Sequence, residues 1–433
     1  MPGYKKLLFT SFLALILLPI YGQNTDSPYS RYGYGILNNQ AIGASRSMGG
    51  ISYGVRGQNT NPGNPASYSG VDSLTFIFDI GVDYNKSRLS ENGSSQSNDN
   101  GGLDYIAMQF PLSKNLGMSI GLLPFSSVGY SFGAVETEGV TTTKSFTGSG
   151  GFSEVYGGVA YQPIKNISIG ANVGFLFGNA TFDRTLTISG VPSANSQYWY
   201  HKLTINALKL KFGAQYTLPL NKTDNVVIGA VFSPAIKKTA KIQRVDNKYT
   251  SSGSLITGDT AVYRGDDAHA DIPNTFGAGF TWNRNNKLTV GADVTYQSWS
   301  KARYSQYLRD ELDNSNRFND RWAFNAGFEY AIDPYDRNFL KRMKFRGGLN
   351  YSDSYINVLD NNGGTSGYKE YGATIGFGLP LRDNFSGRVS YINIGFEYKN
   401  VSPSNKSLIK EQYFGVSVGV TLNELWFFKN KFR

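Results

Sequence analysis

Fourteen antiparallel strands closed into a transmembrane β-barrel, with the segment before them folded into the lumen as a hatch, is the fold class this sequence predicts. Three observations lead there. Apolar residues alternate with polar ones over runs of nine to eleven residues, the length a tilted strand needs to cross a bilayer. The polar face of those runs carries Asp, Glu, Asn and Gly, which a wet lumen accepts and a dry core does not. Aromatic residues gather at the run ends, among them Tyr84, Tyr161, Tyr216, Trp299 and Tyr398, as in the interfacial girdles of such barrels.

The first element reads as an address. Lys5 and Lys6 precede an apolar run from Leu7 to Ile20, and Gly22 offers a small residue before Gln23. Residues 1–22 therefore read as a secretory signal peptide, too short for a comfortable membrane span. No Cys follows it, which excludes a lipoprotein anchor, and removing it takes the formal charge from +10 to +8. The chain has no Cys at all and only two His, so thiolate metal sites, disulfides and cysteine nucleophiles are excluded. A mean hydropathy of −0.32 excludes a bundle of apolar helices but not a barrel, whose strands are only half apolar.

Residues 73–428 read as the barrel. In its first run Phe76, Phe78, Ile80, Val82 and Tyr84 share one face against Ile77, Asp79, Gly81 and Asp83. In its last, Phe414, Val416, Val418, Val420 and Leu422 alternate with Gly415, Ser417, Gly419 and Thr421. Six short turns built on Pro, Asn and a basic residue recur at 111–115, 163–166, 219–222, 283–286, 333–343 and 380–384. Seven longer polar segments lie between them, near 86–102, 134–149, 183–197, 240–271, 301–319, 353–368 and 400–409. Short turns face the periplasm and long loops the exterior in such barrels. Thirteen connections give fourteen strands with both ends periplasmic. Two local breaks stand out. The apolar parity of the run around Ala207 switches, from Leu203 and Ile205 to Leu208, Leu210 and Phe212, which predicts a β-bulge. Pro124 and Pro234 each fall inside a run, where proline removes a ladder donor and marks a kink, a bulge or a rim. The aromatic end Trp426-Phe427-Phe428 precedes a basic tail, residues 429–433, expected at the periplasmic rim.

Residues 23–72 do not alternate. They are rich in Gly, Asn, Ser and Tyr, and so long an irregular segment is functional or disordered. Its tyrosines favour order, and a fourteen-stranded lumen has room for it as a plug. Arg46-Ser47-Met48-Gly49-Gly50, leading to Asn64-Pro65-Ala66 and Asp72, resembles the hatch of FadL-type outer-membrane transporters. The proline-interrupted third strand, Gly121-Leu122-Leu123-Pro124-Phe125, and the strand end from Asp293 to Trp299 and Ser300 are similar to the same family. The resemblance implies a fourteen-stranded barrel in the outer membrane of a Gram-negative bacterium. It also implies passive uptake of hydrophobic, fatty-acid-like molecules. Asn64, Pro65 and Ala66 would belong to the hatch, and Leu122, Leu123, Pro124 and Phe125 to a lateral opening. No lumen residue that fixes the cargo can be aligned.

Some relatives are non-transporting subunits of outer-membrane secretion or assembly complexes, and that alternative stays open. The expected partners are outer-membrane lipid, a hydrophobic small-molecule cargo and, on the alternative reading, other outer-membrane proteins. Chemistry is not expected. His201 follows Tyr198-Trp199-Tyr200 as a girdle residue. The acidic stretches Asp266-Asp267 and Asp310-Glu311-Leu312-Asp313 lack the spacing of a calcium loop. The reading is therefore no enzyme, no metal, no cofactor and no nucleic acid.

Overall fold

An extended chain points successive side chains to opposite faces, so a closed ring of strands sorts its sequence into an outer and an inner surface. The computed structural model carries this sorting around the ring. It describes residues 26–425 except 92, 192–193, 251–252, 257–260, 305–317, 335, 360–363 and 384–386. The expected signal peptide, the basic tail and Trp426, Phe427 and Phe428 lie outside the described residues.

A two-residue strand, β1 (Ile36–Leu37), belongs to the lumenal segment. The wall begins with β2 (Thr75–Glu91), β3 (Ser94–Ser113), β4 (Leu116–Glu138), β5 (Val140–Ile164), β6 (Ile167–Ser189) and β7 (Ser196–Pro219). Two interrupted strands follow. β8 (Asp224–Ser233) resumes beyond Pro234 as β9 (Thr239–Tyr249), and the chain returns as β10 (Ala261–His269) and, beyond Pro273, β11 (Thr275–Arg284). Next come β12 (Leu288–Gln297), β13 (Arg321–Ala331), a helical turn α1 (Phe339–Arg342) and β14 (Lys344–Asp353). A small ribbon, β15 (Val358–Leu359) with β16 (Thr365–Ser366), precedes β17 (Tyr368–Arg382), β18 (Val389–Pro403) and β19 (Lys410–Leu425). β19 pairs with β2 from Lys410↔Ser90 to Leu425↔Thr75 and closes the ring. β7 pairs with both β8 and β9, and these pair with β11 and β10, so each interrupted strand fills one wall position. The result is a closed 14-stranded antiparallel barrel.

The short turns fall where the Pro, Asn and basic motifs place them. Asn166, Asn285 and Asn286 take positive φ values of 71°, 54° and 54°, a conformation asparagine tolerates better than most side chains. At the other end strands replace expected loops. β2 and β3 run to Glu91 and Ser94, and β4 and β5 to Glu138 and Val140. Beyond the apolar band both faces of a hairpin meet water, so its strands lose the alternation that marks them in sequence. The expected bulge near Ala207 is also absent from the β6–β7 pair, whose register is continuous from Ile167↔Tyr216 to Leu186↔Gln197. Leu203, Ile205 and Ala207 are buried on the inner face, whereas Leu208 and Phe212 are exposed on the outer one. The dry side changes along β7; the backbone does not.

Inside, an apolar cluster occupies part of the long-loop half of the barrel. Tyr34, Phe152, Leu176, Leu203 and Trp299 belong to one buried apolar cluster with Tyr355 from the loop after β14. The outer face keeps its large apolar side chains exposed, Leu349, Ile375 and Phe414 among them.

Candidate functional site

The lumenal segment is held by its own turns first. Residues Gly43–Met48 and Pro65–Gly70 form short 3₁₀ helices. Asn64 caps the second, its Oδ1 accepting the Ala66 N–H at 3.1 Å, as a short polar side chain does at an N-cap. Pro65 takes the first position, where no N–H is needed. The Asn64 Nδ2 donates to Tyr53 O at 2.8 Å and to Ala214 O of β7 at 3.2 Å. All three residues of Asn64-Pro65-Ala66 are buried against the wall.

The wall makes room with glycines. A Cβ on Gly229 of β8 would collide with the Tyr53 carbonyl, one on Gly117 of β4 with the Tyr68 carbonyl, and one on Gly348 of β14 with Gly49 N. Close backbone approach of this kind is open only to a residue without a side chain.

Charges then fix the segment. Arg46 pairs with Asp104 of β3, with Asp83 of β2 at 3.4 Å and with Glu397 of β18 at 3.8 Å. Burial works to lower its pKa, but the three carboxylates outweigh it and hold the guanidinium charged. Arg56 donates to Ala66 O and to Gln215 Oε1, both at 3.1 Å. Asp293 of β12 accepts the backbone N–H of Ser52 at 2.6 Å and of Tyr53 at 2.9 Å. Six residues along the chain, Trp299 packs on Tyr34 with ring centroids 5.5 Å apart. One strand end thus grips the segment at two heights.

The second set of predicted residues sits where the wall parts. β3 and β4 pair only from Ser113↔Leu116 to Ile106↔Leu122. Above that, β3 stays on β2 and β4 stays on β5. The β4–β5 register shifts between Pro124 and Ser126, leaving Phe125 as the extra residue, a β-bulge beside a proline. Leu123 and Phe125 are buried, Leu122 and Pro124 partly so.

The seam is filled by the chain itself. β1 pairs with Ser126 and Ser127 of β4. Asn38 N donates to Phe125 O at 3.0 Å, the Gln40 amide to Pro124 O at 3.0 Å, and Ser27 N to Gly129 O at 2.8 Å. Above it Tyr34 donates from its hydroxyl to Asp271 O at 2.9 Å, and Tyr355 from its own to Gly35 O at 2.6 Å. Burial pushes both phenols above their usual range, so they stay protonated as donors.

The two predicted groups are linked through β7. Lys209 ion-pairs with Glu154 at 2.6 Å and lies 5.0 Å from the Phe125 ring centre, while Lys211 donates to Pro62 O at 3.3 Å. Between them lies a cavity of about 300 Å³, lined by Leu37, Phe125 and Ile236 but also by Arg46, Asp104, Lys209 and Glu397. Sequence reading missed these carboxylate partners and β1. The signal for one of the former was there, in Asp83 on the inward parity of β2; β1 is too short to show a period.

The fold is that of the FadL-type barrels. A FadL homologue from Pseudomonas aeruginosa aligns with TM-score 0.65 at 14% identity, over 89% of this chain and 99% of that one. The monoaromatic hydrocarbon channel CymD gives TM-score 0.60 at 14% identity, over 89% and 98%. The Pseudomonas putida toluene transporter TodX gives 0.59 at 14% identity, over 90% and 100%. At such identity the likeness is one of architecture. The chain belongs to the BamG family, whose model matches residues 4–433. The likeness to FadL-type transporters therefore speaks for the fold alone. No curated protein matches the chain significantly.

Proposed function

We propose that this chain is a non-transporting, FadL-like barrel of the outer membrane that serves as a structural subunit of a secretion or assembly complex. Residues 23–72 act on this reading as a permanent hatch, with Asn64, Pro65 and Ala66 as its anchor. The observation that carries it is the filled seam. A hydrophobic cargo would need a greasy path through the wall. Here backbone hydrogen bonds from residues 27–40 occupy that path, and the cavity behind is lined by charges, which cost several kcal/mol to face with an apolar solute. Membership of the BamG family supports a role beside other outer-membrane proteins. Short turns on the periplasmic side and an apolar outer band support outer-membrane placement, and no residue is assigned a catalytic role.

A second reading is passive uptake of hydrophobic small molecules through a lateral opening at Leu122, Leu123, Pro124 and Phe125. The β3–β4 parting beside a bulge favours it, as does an architecture shared with hydrocarbon channels. Pro124→Val, which suits a continuous strand, separates the two. The subunit reading expects unchanged uptake of a fluorescent fatty acid and a co-purifying complex whose yield depends on the barrel. Slower uptake with normal membrane insertion would make the transporter reading the correct one.

A further inference from the structure

The short-turn rim carries a pattern that neither reading uses. In three consecutive turns an exposed aliphatic side chain lies within one residue of the strand end, and a lysine follows one or two residues later. On β3 the outward parity is Ile106, Met108, Phe110 and then Leu112, half exposed, before Lys114. On β5 the register shift between Tyr161 and Ile164 sets Ile164 opposite Ile167; Ile164 is 60% exposed and Lys165 follows it. On β7 the outward row Phe212, Ala214, Tyr216, Leu218 ends at Leu220, with Lys222 two residues on.

The three lysines are exposed and have no ion-pair partner among the described residues. Asp224, the carboxylate at the third turn, is occupied locally: it accepts from the Asn221 amide at 3.2 Å and the Thr223 hydroxyl at 3.0 Å. Turns joining alternate strand pairs lie about 10 Å apart, because neighbouring strands lie roughly 4.8 Å apart. The result is a shallow arc of three positive charges, each one or two residues beyond an exposed aliphatic side chain.

We infer that this arc, Leu112–Lys114, Ile164–Lys165 and Leu220–Lys222, binds anionic phospholipid headgroups of the inner leaflet. The aliphatic residues would lie among the acyl chains and the ammonium groups would meet phosphates. An acidic protein would dock on the axial end of the barrel. It would not need an exposed aliphatic side chain at the end of each of three strands. Basic residues beside a membrane-embedded apolar surface gain most from acidic lipid, and the gain falls with salt. The inference goes beyond both functional readings and needs only the membrane placement they share.

The test uses the full-length purified barrel in detergent, titrated with phosphatidylglycerol or phosphatidylcholine, retained lipid being counted by native mass spectrometry. Phosphatidylglycerol should be retained over phosphatidylcholine by about tenfold. The Lys114→Gln/Lys165→Gln/Lys222→Gln variant should lose that preference while keeping heat-modifiable migration. Should the triple variant fail to assemble, each single Lys→Gln change should give a partial loss. Leu112→Ser with Leu220→Ser should weaken retention of both lipids and leave the preference intact. Equal retention of the two lipids by the native protein overturns the inference, as does an unaltered triple variant. So does displacement of phosphatidylglycerol by inorganic phosphate, which would mark an anion site without lipid. Loss of a co-purifying acidic protein with lipid preference unchanged would assign the arc to a protein partner instead. Fatty-acid uptake and complex yield are read separately, so failure here leaves the functional reading standing.

Discussion

At the scale of single residues the wall glycines and Arg46 decide whether the lumenal segment can be seated. Gly229→Ala sets a methyl group against the Tyr53 carbonyl, and overpacking of a tight contact costs about 1–3 kcal/mol. The expected outcome is a lower temperature for loss of heat-modifiable migration. Gly157→Ala, where nothing lies within 4 Å of an added Cβ, should leave that temperature unchanged. Arg46→Met strands Asp83, Asp104 and Glu397 around an uncharged side chain. The Arg46 side chain is 20% exposed, so the loss should sit near the lower end for buried pairs, about 3 kcal/mol. Limited proteolysis should then cut within residues 26–72, and should spare them in the native protein. Little of this was legible in sequence. Arg46 was visible as part of a motif, but its partners lie on three strands whose spacing in the chain says nothing about their convergence.

The elements tell a more legible story. Period-two runs, Asn-bearing turns and the proline in the third run were all readable, because each follows from local backbone chemistry. β1 was not: its two residues pair with β4 only because the β3–β4 ladder stops at Leu122, a property of the assembled wall. The chain has no Cys, so the pairing can be trapped cleanly. Ile36 and Ser127 are register partners, and facing strand residues have Cα atoms about 4.5–5.5 Å apart, within disulfide range. An Ile36→Cys/Ser127→Cys protein should oxidise readily to a form of altered mobility on a non-reducing gel. A control pair, Leu37→Cys with Val159→Cys, should not. If the lumenal segment leaves the seam during function, the oxidised form should lose activity that reduction restores. The subunit reading expects no such loss.

For the molecule as a whole, an aromatic core at the long-loop end and a braced segment below it predict a barrel that barely conducts. In planar bilayers the native protein should show little ionic current. Asn64→Ala, which removes donors to the Tyr53 and Ala214 carbonyls, should raise it by loosening the segment at an expected cost of about 1–3 kcal/mol. Large current through the native protein would mean that the packed cluster around Tyr34 and Trp299 opens readily. The strand count followed from sequence because turns and loops alternate strictly in an antiparallel ring. The packing inside the ring did not, since it depends on contacts between residues hundreds of positions apart, such as Tyr34 with Asp271.

Those long-range contacts have a consequence for assembly. Arg46 meets Asp83 on β2 and Glu397 on β18, the two strands that flank β19. The ring closes along the β19–β2 ladder, and the guanidinium reaches across it from β2 to β18. A wall closing on this segment would gather Asp83, Asp104 and Glu397 around one charge, so a barrel with Arg46 altered should be slow to shut as well as less stable once shut.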